Sequence, residues 1–211
     1  NNISSGAAAL AMGYSNVASG DYSFVMGLSN TAAENSAAAI GRENSAPGIY
    51  ALAAGYRTTA SGEASLSGGY ETESSGRYSV AFGWGTRSSS ILSAVFGKFN
   101  VGGGDPLLWQ SNDPIFEIGI GTSSANRKNA FTVLKNGKVS INTHEYRSTL
   151  TVRGPDDPLN GPVITLFGNT SDQFESGRIR FIEGTNSSTL RGGYIHIDGS
   201  GNRFHVGVRN T

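Results

Sequence analysis

The chain opens with short apolar blocks set between stretches of small and polar residues. They read Ala9-Leu10-Ala11-Met12-Gly13, Ser23-Phe24-Val25-Met26-Gly27, Ala37-Ala38-Ala39-Ile40-Gly41 and Ser79-Val80-Ala81-Phe82-Gly83. Within each block large and small side chains alternate, the period of a β-strand, whose successive side chains point to opposite faces. Phe24 and Met26, Val80 and Phe82, and Ala94 and Phe96 each fall on one face of their block. That face is expected to be the buried one. The last third repeats the signal without helical periodicity, so the pattern predicts an all-β protein.

The blocks recur at a fixed interval. Gly13, Gly27, Gly41, Gly55, Gly69, Gly83 and Gly97 are spaced by fourteen residues, and Gly6, Gly20, Gly48, Gly62 and Gly76 form a second column half a period away. Glu34 and Ser90 replace glycine in that second column. Helical repeats need roughly 33 residues or more, so fourteen is too short for them. It suits a coil of two short strands joined by tight turns, with glycine supplying positive φ at the corners. Stacked coils then pair as parallel strands, each advancing the stack by about 4.7–4.9 Å. Residues 1–100 hold seven such coils. One or two medium apolar side chains per coil make a thin core for a single chain, and solenoids survive by burying a continuous one. The core is therefore expected to be shared between chains, most simply three.

The run Ser75-Gly76-Arg77-Tyr78-Ser79-Val80-Ala81-Phe82-Gly83 resembles the head repeat of YadA-like trimeric autotransporter adhesins, and the resemblance extends over residues 1–100. It implies a left-handed parallel β-roll assembled as a homotrimer, with an adhesive, non-enzymatic role outside the cell. Some heads of that family bind collagen through an Asn-Ser-Val-Ala-Ile-Gly block. Here the nearest match, Asn35-Ser36-Ala37-Ala38-Ala39-Ile40-Gly41, carries an extra residue, so collagen binding is not implied.

The period ends at Asn100, and Val101-Gly102-Gly103-Gly104-Asp105-Pro106 reads as a redirection. Residues 101–142 are expected to form a β-hairpin connector. Phe116, Ile118 and Ile120 alternate along one strand, and Asn136-Gly137 between two alternating runs predicts a two-residue type I′ turn. The stretch resembles the connector after such rolls in bacterial surface proteins and phage-type tail fibres, in place of the family's basic neck and coiled-coil stalk. Residues 143–211 are expected to form a distal antiparallel β-meander. Its last two strands keep apolar with apolar when Ile197 faces Phe204 and Ile195 faces Val206. That register sets Asp198 opposite Arg203 and His196 opposite His205.

Composition narrows the function. The 211 residues include 30 glycines, and only 15% are charged, against about 25% in an ordinary globule. Sixteen basic and sixteen acidic side chains cancel, which removes the basic surplus of a nucleic-acid binder. The chain has no cysteine, which excludes thiolate chemistry and a disulfide framework. No run reaches the ~18 apolar residues of a membrane span, so direct membrane insertion by this segment is not expected. A chain opening on Asn1 without a leader reads as a fragment or a processed product.

Candidate chemistry is sparse, and no cofactor is expected. His196, His205 and Asp198 are the weak candidates for a metal; the expected reading is a solvent-facing cross-strand set with an Asp198–Arg203 surface pair. Asp156, Asp157, Asp172, Glu175 and Glu183 lie in or beside turn-rich loops, which argues against a glycosidase pair and a fibre-borne depolymerase. The column Asn16, Asn30, Asn44, Thr58, Thr72, Thr86 and Asn100 is expected to bond turns rather than ice. A second column, Tyr14, Leu28, Arg42, Tyr56, Tyr70, Trp84 and Lys98, offers either an aromatic binding stripe or a seam between chains. Distal loops carry Asp156 and Asp157, Asp172 and Phe174, and Leu190 and Arg191, the expected contacts to a cell-surface glycan or protein receptor. Two settings fit: the receptor-binding fibre of a phage or phage-like contractile injection particle, which the missing neck favours, or a bacterial surface-anchored adhesin.

Overall fold

The computed structural model describes residues 1–143 and, beyond them, strands at 150–152, 176–183, 191–198 and 203–209. The chain divides into two compact units, Asn1–Pro155 and Asp156–Thr211. Every element among the described residues is a β-strand.

Residues 1–100 form a parallel β-solenoid whose coil is fourteen residues. Each coil gives one two-residue strand, such as Val17–Ala18 or Thr59–Ala60, and one five-residue strand, such as Phe24–Leu28 or Val80–Trp84. The short strands stack into a seven-stranded sheet. The long strands stack into a second sheet, in which Phe24 pairs with Ala38, Gly27 with Gly41 and Leu66 with Val80. Each coil thus lies in register on the next, fourteen residues on.

The glycine column at the end of the long strand has a direct cause. Gly13, Gly27, Gly41, Gly55, Gly69, Gly83 and Gly97 all sit at φ between 95° and 133°. A Cβ on Gly69 would strike the carbonyl oxygen of Gly83 in the next coil. The second column works differently from the expectation. Gly6, Gly20, Gly48, Gly62 and Gly76 do not have positive φ; the left-handed residue at that corner comes two positions later, at Ala8, Tyr22, Ser36, Tyr50, Ala64, Tyr78 and Leu92. Here glycine is favoured because a Cβ would collide with the backbone of the following coil, as between Gly62 and Gly76.

The expected facing of the long strands is reversed. The interior column is Val25, Ala39, Ala53, Ser67, Ala81 and Val95, all buried, while Met26, Phe82 and Phe96 are exposed on the opposite face. Alanine and serine from the short strands, Ala18, Ala32, Ala46, Ala60, Ser74 and Ser88, close the interior from the other side. Two strands of a fourteen-residue coil leave a gap that small side chains fill and a phenyl ring does not. The larger apolar residues therefore line the outside.

The long-strand sheet does not stop with the roll. Pro114–Ile120 pairs in parallel with Ala94–Lys98, and Asn129–Leu134, Val139–Ile141 and Leu150–Val152 extend it to eleven strands. Its facing carries over: Glu117, Thr132 and Ser140 are buried, while Ile118, Ile120 and Ile141 are exposed. The hairpin at Asn136-Gly137 departs from the predicted type I′ turn. Val133 pairs with Val139 and Phe131 with Ile141, leaving a three-residue loop in which only Gly137 has positive φ, at 82°. The Gly137 N–H donates to the Leu134 carbonyl at 2.9 Å and the Leu134 N–H to the Lys138 carbonyl at 2.8 Å. A two-residue turn would set Leu134 opposite Val139 and Thr132 opposite Ile141; the longer loop keeps apolar with apolar on the outer face.

In the second unit, Ser176–Glu183, Arg191–Asp198 and Arg203–Arg209 form a three-stranded antiparallel sheet. The pairing of the last two strands is the register that the apolar pattern predicts: Ile197 with Phe204, Ile195 with Val206, His196 with His205 and Asp198 with Arg203.

Candidate functional site

The outer face of the eleven-stranded sheet is the dominant surface feature of the first unit. Along it the rings of Phe82, Phe96, Phe116 and Phe131 follow one another at centroid separations of 6.1, 6.0 and 6.1 Å. Phe82 is 39% exposed and Phe96 42% exposed, and Leu10, Met12, Met26, Ile118 and Ile120 extend the same face. A contiguous apolar face of this kind on one chain marks an interaction surface.

The Tyr14–Lys98 column lies on the same face, at the last position of each long strand. Tyr56, Tyr70 and Trp84 are brought together, with centroids 5.2 Å apart between the tyrosines and 5.8 Å between Tyr70 and Trp84. Phe99 continues the run at 5.4 Å from Trp84. Arg42 and Arg57 lie over the Tyr56 ring at 5.4 and 4.9 Å. Tyr14 stands apart, with Leu28 and Arg42 occupying the next two steps. Beside this column Glu43 bonds Arg57 at 2.7 Å and Arg42 at 2.9 Å. The Arg57 guanidinium holds the Glu43 carboxyl below its usual range, and the carboxylate holds Arg57 above its own.

The Asn/Thr column is inside the coil and presents nothing to a solid surface. Asn16, Asn30, Thr58, Thr72 and Thr86 are wholly buried. The Asn30 Nδ2 donates to the Gly41 carbonyl at 2.7 Å, and the Asn30 Oδ1 accepts from the Asn44 backbone N–H at 2.9 Å. Each asparagine so ties its own corner to the coils on either side. From Thr58 onward the ladder thins. Thr58 donates back to Asn44 Oδ1 at 2.8 Å, Thr72 bonds Ser67 within its own coil, and Thr86 Oγ1 is buried without a partner.

The buried charge at the end of the roll was missed by sequence reasoning. Glu117 is 2% exposed and continues the interior column of the long strands, opposite Val95 of the last coil. Its Oε2 accepts from Asn100 Nδ2 at 2.5 Å and from the Gly102 N–H at 3.2 Å, and its Oε1 accepts from Asn129 Nδ2 at 2.5 Å. Backbone groups fix both amides: Asn100 Oδ1 accepts from the Arg87 N–H, and Asn129 Oδ1 from the Val101 N–H, each at 2.8 Å. Burial pushes the Glu117 carboxyl up, against these three donors, which favour the charged form. The only hint in the sequence is a glutamate at an inward-facing step between Phe116 and Ile118. From the interior column its carboxylate accepts from the Asn100 amide, the last step of the ladder.

Nearby, the Lys135 side chain is buried, its Nζ 3.9 Å from Asp113 Oδ2 and 4.8 Å from the centre of the Trp109 ring. Burial lowers its pKa. The loop carrying Trp109 also exposes Leu107 and Leu108, whose N–H groups are both held by Asp105 Oδ1 at 2.9 Å. The Asp105 carboxyl sits below its usual range because of those two bonds.

Of the expected distal contacts, Asp156, Asp157, Asp172, Phe174 and Leu190 lie outside the described residues, as does Glu175 of the acidic set. Arg191 opens a strand and pairs with Glu183. The His196–His205 and Asp198–Arg203 pairs are adjacent in register.

Comparison with known families falls on the roll. The family model for the YadA head domain repeat matches residues 4–30, 46–72 and 60–86. The roll carries YadA-type head repeats, and the matches lie among coils that keep both glycine columns, leaving out the stretch around Glu34. No curated protein matches the chain.

Proposed function

We propose that this roll of YadA-type head repeats is the shaft of a non-enzymatic adhesive fibre built from three copies of the chain. The observation that carries the reading is the inverted facing of the long sheet. A coil interior of alanine, serine and asparagine closes each chain by itself, while Phe82, Phe96, Phe116 and Phe131 remain outside. Three copies around one axis turn those faces into a common core, with the Tyr56–Tyr70–Trp84 column along the seam. A regular surface of this kind serves attachment to a cell-surface glycan or protein receptor, where three weak contacts act together.

For the setting, we favour the receptor-binding fibre of a phage or phage-like contractile injection particle. Its support is the strand Pro114–Ile120, which continues the sheet directly where an autotransporter head passes into a neck. The alternative is a bacterial surface-anchored trimeric adhesin, supported by the matched head repeats. Light scattering of the chain over a wide concentration range tests the assembly, with three copies expected and a stable monomer refuting the shared face. The gene sequence before Asn1 and after Thr211 tests the setting: a particle-attachment module supports the fibre, and a membrane-barrel anchor supports the adhesin.

A further inference from the structure

The roll carries a second set of rings that differs from the stacked column in every respect that matters for binding. Tyr22, Tyr50 and Tyr78 occupy the corner before the long strand, on the opposite edge from Tyr56, Tyr70 and Trp84. They recur every second coil, which places them about 9.5 Å apart at the rise of stacked strands. Tyr22 is 69% exposed, Tyr50 62% and Tyr78 42%. Rings in the stacked column spend their faces on one another. Among the described residues the Tyr22 and Tyr50 rings meet no aromatic or cationic partner, while Tyr78 has Arg77 over its ring at 4.9 Å and its hydroxyl donates to Glu63 Oε1 at 3.5 Å.

The fold does not ask for tyrosine here. All three sit at positive φ, 59°, 59° and 58°, a conformation that bulky residues seldom adopt. The same corner is made by Ala8, Ser36 and Ala64 in other coils, and by the 47% exposed Leu92 in the last. The Tyr22 and Tyr50 rings bury little, yet they occupy a backbone conformation that opposes bulk. Outliers of that kind cluster where function holds them.

Their surroundings define the ligand. Ser36 and Ala64 leave a gap one coil deep between successive rings. The adjoining column supplies Asp21, Asn35, the 40% exposed Ile49, Glu63 and Arg77, of which Glu63 and Arg77 neutralise each other at 2.7 Å. With Glu34 beside Asn35, the remaining charge is acidic. Among the described residues this corner carries no basic stripe to hold an anionic polymer. What fits is a chain of repeated rigid units with an apolar face for each ring and hydroxyls at its edges.

We infer that the Tyr22–Tyr50–Tyr78 ridge binds a linear neutral polysaccharide laid along the roll, one ring stacking on a sugar at every second coil. This deepens the adhesive reading and rests on it. The test uses the full chain on an array of neutral and acidic oligosaccharides of graded length, with a collagen-like triple-helical peptide printed alongside, and whole-cell attachment measured in parallel. The comparison variant is Y22S/Y50S, which installs the residue that coil three already uses at this corner. The expected result is retention of longer neutral oligosaccharides, weakened about tenfold or more in the variant, with circular dichroism and assembly unchanged. The inference is overturned if no neutral glycan is retained, if wild type and variant retain it equally, or if the triple-helical peptide is the ligand that the variant loses. Those outcomes leave the adhesive reading standing as long as the chain attaches to cells. Failure to attach to any cell sinks the adhesive reading itself.

Discussion

The two faces of the long-strand sheet obey opposite rules. Inward, from Val25 to Val95, side chains are small, and the column beside them is amide and hydroxyl, hydrogen-bonded from coil to coil through Asn16, Asn30 and Asn44. Outward, the side chains are larger and apolar, and phenylalanine rings run from Phe82 to Phe131. In an ordinary two-layer domain the first face would look to water and the second to the core. The inversion teaches that a narrow coil and a wide assembly solve different problems. The coil needs exact fit and bonded polar groups, because its interior has no room for bulk. The assembly needs area, and takes it from the only face left.

Breaking the outer face should have the largest effect. Phe82→Asp with Phe96→Asp is expected to abolish the trimer while leaving the coil's β-signature, because unpaired carboxylates inside a shared core each cost several kcal/mol. Native mass spectrometry with circular dichroism separates loss of assembly from loss of fold. If the double variant remains trimeric, the outer face is not the shared core.

Inside the coil, Gly69→Ala is expected to cost roughly 3 kcal/mol, from a strained φ of +116° and a Cβ driven into the Gly83 carbonyl. Chemical denaturation followed by circular dichroism reads the shift, and a neutral outcome would mean that adjacent coils slide to accommodate the methyl. Glu117→Ala should rank below it, at roughly 2 kcal/mol, because the Asn100 and Asn129 amides lose a buried acceptor.

The same residue gives a pH test with a definite sign. Burial raises the Glu117 pKa, so above the ordinary carboxylate value of about 4.3 the folded chain still holds a proton that the unfolded chain has released. Stability from this group therefore falls as pH rises through that window. Relative to Glu117→Gln, wild type should gain stability on going from about pH 7 to about pH 5. A relative loss would show that the three donors outweigh burial.

The smallest effect belongs to the exposed ion-pair ladder. Glu43→Gln should change the melting temperature little and lose even that change in high salt, since Glu43 and its arginine partners are solvated. A large shift would give that ladder a structural weight its exposure does not suggest.

Much of this was legible before any coordinates. Seven glycines at fixed spacing specify the coil, and the block Ser79-Val80-Ala81-Phe82-Gly83 marks a strand. The pairing of Ile197 with Phe204 follows from matching apolar steps. Which face of the strand was inward could not be read from alternation, because alternation separates two faces without ranking them. The usual ranking, large and apolar inside, fails in a coil whose interior admits only small side chains. Glu117 escaped for the same reason: once Phe116 and Ile118 are taken as core, the glutamate between them reads as surface. The hairpin loop length turned on Lys135, which the turn dipeptide Asn136-Gly137 does not encode; its backbone N–H is instead held by the Asp113 carbonyl at 2.9 Å.

The thinning of the asparagine ladder has a mechanical side. Bonds between coils lie along the stack, so tension applied in that direction loads them directly. In the first four coils each boundary carries the backbone pairs plus side-chain links from Asn2, Asn16, Asn30 and Asn44. Past Thr58 the buried amide links stop, leaving the backbone pairs with exposed contacts such as Arg57–Glu71 and Glu63–Arg77, until Asn100 bonds back to the Arg87 backbone. A roll held at both ends and pulled would yield first between Thr58 and Thr86, with the stiffer coils on either side keeping their shape.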